Sequence, residues 1–216
     1  MRTLQRYGSL TRLAAAVLVL GVGVLALWQA GVIFDDGSAS ITDTSGRTVD
    51  LEPADASITT PDVPGREVGL REGDVAPDFE FSSFEGERLR LSDFRGRPVF
   101  VNFWATWCGP CRAELPAMEV LLRDHAADNL AVLGINNGER IATAERFLQR
   151  LDVKLTAYAY DPEAAIAERY SILGMPTSFF VDAEGVITGV YATALSPKLM
   201  EEAVAEAIAG YDTASN

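Results

Sequence analysis

The sequence predicts an α/β domain with a mixed sheet and helices on both faces, preceded by one apolar segment long enough to cross a membrane. Three observations predict it. Short β-type runs alternate with amphipathic helical patterns from Pro98 to Tyr170, after which the chain turns to a hairpin and one last helix. Residues 13–34 are apolar or small, with Gln29 the one clearly polar exception. The only two cysteines of the 216 residues, Cys108 and Cys111, stand three positions apart, where an apolar run gives way to a helical pattern.

Hydrophobic residues make up 48% of the chain and the mean hydropathy is +0.10, a balance that a membrane segment explains better than a soluble core does. The formal net charge of −13 is unevenly placed. Arg2, Arg6 and Arg12 precede the apolar run and no acid occurs before Asp35, so the rest carries 15 bases against 31 acids. Such an acidic body repels phosphates and excludes nucleic acid as a main partner. Two cysteines at this spacing do not make a structural framework, which needs more bridges closing longer loops. A zinc site wants four ligands, and only two thiols and one histidine exist. That histidine, His125, reads as a surface residue near a helix C-terminus.

In order along the chain, residues 1–12 read as a cytoplasmic N-terminus and 13–34 as the anchor. As a helix the apolar run covers about 33 Å, enough for a hydrocarbon core of ~30 Å. It exceeds the roughly 7–15 apolar residues of a cleaved signal peptide, and only Ser38-Ala39-Ser40 offers a weak cleavage site. No cysteine stands directly after the run to carry a lipid. Three arginines before it and Asp35-Asp36 after it place the body outside the cytoplasm. Residues 35–72, rich in Ser, Thr, Asp, Gly and Pro, read as a flexible spacer, with Arg47-Thr48-Val49-Asp50-Leu51 a short strand-like alternation.

The folded domain is expected over 73–211, with 212–216 a tail. Phe79-Glu80-Phe81 and Arg88-Leu89-Arg90-Leu91 alternate in period two around Glu85-Gly86, a hairpin pattern. Pro98 to Phe103 and Leu130 to Ile135 are near-continuous apolar runs suited to buried parallel strands. Ile141, Ala144, Phe147, Leu148 and Leu151 share one helix face. A strand over Leu155 to Tyr160 leads to Asp161-Pro162, which are expected to start a helix through Tyr170. Strands at 178–181 and 186–191 flank Asp182-Ala183-Glu184-Gly185. Ser196-Pro197 then caps a last helix with Leu199, Val204 and Ile208 inward.

The chemistry sits in Trp107-Cys108-Gly109-Pro110-Cys111, at a strand–turn–helix junction. Unpaired N–H groups and the positive end of the helix dipole stabilise a thiolate at Cys108 and lower its pKa. Cys111, one turn further in, is placed to attack a mixed disulfide at Cys108. That is the layout of a dithiol–disulfide exchange centre.

Phe103-Trp104-Ala105-Thr106-Trp107-Cys108-Gly109-Pro110-Cys111 with Arg112-Ala113-Glu114-Leu115-Pro116 resembles the thioredoxin superfamily, and more narrowly the membrane-anchored TlpA/ResA-like thiol–disulfide oxidoreductases. Gly73-Asp74-Val75-Ala76-Pro77-Asp78-Phe79 is similar to that family's entrance, and Gly174-Met175-Pro176-Thr177 to its cis-proline loop. The resemblance implies a thioredoxin fold with an N-terminal β-hairpin extension and an inserted helix, here at 141–151. It also implies Cys108 as nucleophile, Cys111 as resolving thiol, Pro176 cis opposite the disulfide and the Met175 backbone free to pair with an extended substrate. Trp107, Gly109, Pro110, Met175 and Thr177 would form the groove. Trp104 is read as groove or packing, and Pro116 as the proline that kinks the active-site helix. Glu114, three residues after Cys111, would tune the thiols or accept the proton of Cys111. The Cys108–Cys111 disulfide would be the redox group, with no further cofactor and no metal.

The implied partners are protein disulfides outside the membrane, apocytochrome c or a copper-site assembly factor, with a membrane electron donor of the CcdA or DsbD type. Gly109-Pro110 is the thioredoxin-type insert, associated with a potential of about −270 mV rather than about −120 mV, hence a reductase. Two other readings stand beside it. A peroxiredoxin shares the Ala-Pro-Asp-Phe entrance, but its Pro-x-x-x-Thr-x-x-Cys context places the threonine one position further from the cysteine than Thr106 is from Cys108. A Sco-type copper module needs cysteines four apart and a remote histidine.

Overall fold

A computed structural model describes residues 39–42, 48–51, 60, 63–83 and 86–210, the first two segments as backbone only. The expected anchor at 13–34, its flanks and the tail at 212–216 lie outside the described residues. Among the described residues no helix is long and apolar enough to cross a membrane.

Two short antiparallel pairs come first. Strand β1 (Ala39–Thr42) pairs with β2 (Thr48–Leu51), inside the segment expected to be a spacer. Strand β3 (Glu80–Ser82) pairs with β4 (Arg88–Arg90) in the hairpin that the alternation predicts. A 3-10 turn, Leu91–Phe94, leads to the main sheet. Its elements are β5 (Val99–Trp104), α1 (Gly109–Asp124), β6 (Ala131–Asn137), α2 (Ile141–Leu151), β7 (Ala157–Asp161), α3 (Ala165–Arg169), β8 (Thr177–Val181), β9 (Ile187–Tyr191) and α4 (Pro197–Ala209). The strand order is β7-β6-β5-β8-β9, with β5, β6 and β7 parallel and β8 and β9 antiparallel.

Strand β5 is central and buried at all six residues, so its sequence reads as a continuous apolar run. Its period of two still sorts the side chains. Phe100 and Trp104 join a cluster with Leu115, Met118, Phe180 and Val204, roofed by α1, α2 and α4. Val99, Val101 and Phe103 join Phe79, Phe81, Ile166 and Tyr170 on the opposite face. Asn102, the one polar residue of the strand, therefore points to the α1 face. Gly134 on β6 is what admits Trp104, since a Cβ there would lie 3.1 Å from the indole Nε1 and 3.0 Å from Tyr158.

Pairing begins before residue 73. The Val75 N–H donates to the Glu67 carbonyl at 2.8 Å, and Gly69 donates back to Val75 at 3.1 Å. Ile187 on β9 donates to Asp74 at 2.9 Å, so this entrance lies along the sheet edge. The hydrogen bond of the Tyr170 hydroxyl to the Pro77 carbonyl, at 2.6 Å, ties it to α3.

Two expectations are corrected. Asp161-Pro162 do not open a helix running to Tyr170: β7 continues through Asp161 and α3 is only Ala165–Arg169. Asp161 pairs with Asn137 in the sheet, and its carboxylate accepts from the Ala167 N–H at 2.8 Å. Acting as a cap at a distance, Asp161 delays the helix start, and Ala164 turns the chain with φ 60°. On α4, Val204 is inward, but Ile208 is 39% exposed. The buried stripe is Met200, Ala203, Val204 and Ala207, which leaves Ile208 at its margin.

Candidate active site

The strand–turn–helix at the C-terminal end of β5 places the two cysteines. A turn closed by the Cys108 N–H on the Ala105 carbonyl, at 3.2 Å, brings Cys108 to the N-cap of α1. Pro110 stands in the first turn of the helix, where no backbone donor is lost. The two sulfurs are joined, S–S 1.99 Å with Cα–Cα 5.3 Å. The Cys111 N–H donates to Cys108 Sγ at 3.2 Å, a bond that would persist to a thiolate at that sulfur. Cys108 is 4% and Cys111 1% exposed, so the disulfide presents only the edge of Cys108. Around it Trp107, at 69%, Gly109 and Pro110 are exposed.

The loop before β8 lies at the same end of the sheet, since Thr177 pairs with Phe103 near the end of β5. The Met175–Pro176 peptide is cis, as the resemblance implies. Met175 is half-buried against the α1-side core, and Thr177 Oγ1 donates to the Gly174 carbonyl at 2.8 Å. Among the described residues no backbone hydrogen bond engages Met175. Leu173, two residues earlier, is fully exposed. Trp104 belongs to packing, buried against Phe147 and Tyr158. Pro116 lies inside α1, where it cannot donate to the Arg112 carbonyl.

Glu114 is 4% exposed on the inner face of α1, one turn after Cys111. One carboxylate oxygen accepts from the Leu195 N–H, and the other makes no hydrogen bond of ordinary geometry among the described residues, although the Asn102 amide lies near enough to act on the carboxylate. Burial raises its pKa, opposed by the Leu195 N–H and the Asn102 amide, which favour the charged form.

Several neighbours escaped sequence reasoning. Asn102 is 1% exposed and donates to Ser178 Oγ on β8 at 3.0 Å. A lone polar residue in an apolar strand was the signal for it. Thr106, in the turn before Cys108, is bound by Glu139 from the loop after β6, and nothing in the sequence joins residues 33 apart. His125 lies away from this site as the C-cap of α1. Its side chain is 14% exposed, with Nδ1 2.8 Å from Asp128 and Nε2 2.9 Å from Glu201 on α4.

The chain is similar to known proteins over this same region. A family model described as AhpC/TSA family matches residues 73–190, more than half of the chain. Thioredoxin-like protein YneN of Bacillus subtilis (strain 168) is 38% identical over 144 residues, covering 63% of this chain and 81% of YneN. Thiol-disulfide oxidoreductase ResA of Geobacillus thermodenitrificans is 36% identical over 121 residues, or 54% of this chain and 69% of ResA. A crystal structure described as a thiol:disulfide interchange protein DsbE from Chlorobium tepidum superposes with a TM-score of 0.61 at 31% identity. It covers 65% of this chain and 99% of its own. A cysteine pair at this helix start, on this sheet, in a chain whose relatives are named for exchanging thiols and disulfides, is an enzyme's redox group: the chain belongs to the AhpC/TSA family, within the thioredoxin superfamily, as a ResA-like thiol–disulfide oxidoreductase.

Proposed function

We propose that the chain is a membrane-tethered protein disulfide reductase working outside the cytoplasm, with Cys108 as nucleophile and Cys111 as resolving thiol. The observation that carries this reading is the buried Glu114 one turn beyond Cys111. In the reduced enzyme the Cys108 thiolate attacks one sulfur of a client disulfide. A Cys108–client disulfide forms and the other client sulfur leaves as a thiolate. Cys111 then gives up its proton and attacks Cys108 Sγ, which closes the Cys108–Cys111 bond and releases the second client thiol. Two electrons pass from the enzyme dithiol to the client, and a thiol donor must restore the enzyme.

Burial supports Glu114 as the proton acceptor for Cys111. A carboxylate whose proton affinity is raised is a stronger base for a thiol than an exposed one. Trp107, Gly109, Pro110 and the cis-Pro176 loop with Met175 and Thr177 form the two lips of the groove, where an extended client strand would pair with the Met175 backbone. The Gly109-Pro110 insert supports the reducing direction. The apolar run at 13–34 with its arginines supports tethering, and a reductase outside the membrane needs a donor of the CcdA or DsbD type. Apocytochrome c, whose thiols must be free for haem attachment, and a copper-site assembly factor are the proposed clients.

Trapping tests the roles. Cys111→Ser in membranes should hold a Cys108–client disulfide that dithiothreitol releases, while Cys108→Ser should hold none. Efficient trapping by Cys108→Ser alone would reverse the assignment. A potential above about −150 mV would oppose the reducing direction.

The AhpC/TSA family match gives a second reading, thiol-dependent peroxide reduction. Thr106, the threonine of the turn before Cys108, has its hydroxyl committed to Glu139 at 2.5 Å, which weighs against it. Substantial peroxide turnover by the reduced protein would favour it. The copper-module reading has the weaker support, since the cysteines are three apart and His125 faces two carboxylates at the far end of α1. Copper titration of the reduced protein tests it.

A further inference from the structure

We propose that Glu139 is a positioning residue for the exchange reaction, acting through Thr106 to hold the turn that presents Cys108 and Trp107. This inference rests on the dithiol reading of Cys108 and Cys111 given above. The turn spans Ala105 to Cys108, with Thr106 and Trp107 as its central residues. Its only fastening to itself is the 3.2 Å bond from the Cys108 N–H to the Ala105 carbonyl, and the Trp107 side chain, 69% exposed, adds little. Glu139 supplies the rest. One carboxylate oxygen accepts from the Thr106 N–H at 2.7 Å and the other from Thr106 Oγ1 at 2.5 Å. Thr106 is thus gripped at backbone and side chain by a single group.

The carboxylate is itself aimed from below. Asn136, fully buried and paired in register with Trp104, donates its Nδ2 to Glu139 at 2.9 Å. Between them Gly138 takes φ 70°, folding the chain back over the end of β6 so that Glu139 reaches the turn. The path therefore runs from the end of one central strand to the turn leaving its neighbour. Charge-assisted bonds of this kind are short and directional. A turn held this way keeps Cys108 at the helix cap, where the Cys111 N–H meets its sulfur at 3.2 Å.

The variants are Glu139→Gln, Thr106→Val and the double, in the full-length protein, beside the wild type. Two readouts are used: insulin-disulfide reduction, and the pH profile of Cys108 alkylation by iodoacetamide. Positioning predicts that Glu139→Gln lowers kcat/KM for insulin about tenfold with the fold retained by circular dichroism. Thr106→Val, which loses only the hydroxyl bond, should cost less, and the double variant no more than Glu139→Gln alone. The alkylation profile should move to higher pH in both single variants, since a displaced sulfur loses its N–H partner. Removal of a nearby negative charge alone would move the Glu139→Gln profile to lower pH. A lower or unchanged profile, wild-type turnover in Glu139→Gln, or losses that multiply in the double variant each overturn the proposal. Should the wild type itself fail to reduce insulin, the reductase reading fails first, and the alkylation profiles still decide the role of Glu139.

Discussion

Glu114 on the active-site helix accepts a hydrogen bond from the backbone N–H of Leu195, the residue before the cap of the last helix. The bond spans 81 positions of sequence and fixes a buried carboxyl one turn beyond Cys111, its second oxygen without a hydrogen bond among the described residues. A group held there by a backbone donor stays in place whether or not it carries a proton. In the proposed exchange reaction it would therefore act as an acid–base group without moving.

Glu114→Gln keeps the acceptor for Leu195 and removes the titration. Resolution of the mixed disulfide should slow by about 10²-fold, and the intermediate should accumulate in stopped-flow mixing with a disulfide peptide. The wild-type carboxyl also carries a pH-dependent cost. Because burial raises its folded pKa above the unfolded value, its favourable contribution is full below the unfolded pKa and is lost as pH rises through the folded one. Thermal scans should show the glutamine variant gaining on the wild type between those two limits and holding its lead above them. Equal resolution rates would remove Glu114 from the chemistry.

His125 gives a second pH signal far from the cysteines. Both ring nitrogens face carboxylates, Asp128 at 2.8 Å and Glu201 at 2.9 Å, an arrangement that only the doubly protonated ring satisfies fully. Burial opposes the charge, but the two acids outweigh it and raise the pKa. The strut between α1 and α4 is then complete below the unfolded value of about 6.5 and is lost as pH rises through the folded pKa. As the sole histidine, its ring C–H resonance reads the titration directly. A midpoint at or below that of a model peptide would contradict the strut. The wild type should lose its advantage over His125→Gln at alkaline pH, and sooner in high salt, because both acids are exposed.

The two tryptophans flanking Ala105 and Thr106 should separate function from stability. Trp107 is 69% exposed, so Trp107→Ala should leave the melting temperature nearly unchanged while raising KM for a protein client several-fold. Trp104 is fully buried, and Trp104→Ala should cost about 3–5 kcal/mol in chemical denaturation. An equal loss of stability in both would mean that Trp107 packs on the domain in solution.

The contrast shows which parts of this molecule were legible in its sequence. Period-two and helical patterns located the parallel strands, the hairpins and α2, because those elements are stabilised by the faces that they bury. The junction at Cys108 was legible because cap, proline and apolar run are adjacent in the chain. Asp161 misled because its carboxylate caps α3 across a turn while its backbone stays in the sheet, a division that local spacing does not reveal. Glu139 and Leu195 were invisible for the same reason: each meets its partner through the fold, not along the chain.

Asn102 supplies the last prediction. It stands on the α1 face of β5, donates to Ser178 Oγ at 3.0 Å, and its amide favours the charged form of Glu114. Asn102→Leu fits an apolar strand by shape but removes both services. Ser178, fully buried, loses its partner, which should cost about 1–3 kcal/mol. Glu114 loses a stabiliser of its charge, so its pKa should rise further, and the pH profile of mixed-disulfide resolution should move upward. Asn102→Asp should move the same profile upward by a different route, because a second carboxyl beside Glu114 disfavours its ionisation. If both variants lose stability but leave the profile where it is, Asn102 serves the sheet alone, and Glu114 is tuned only by burial and by Leu195.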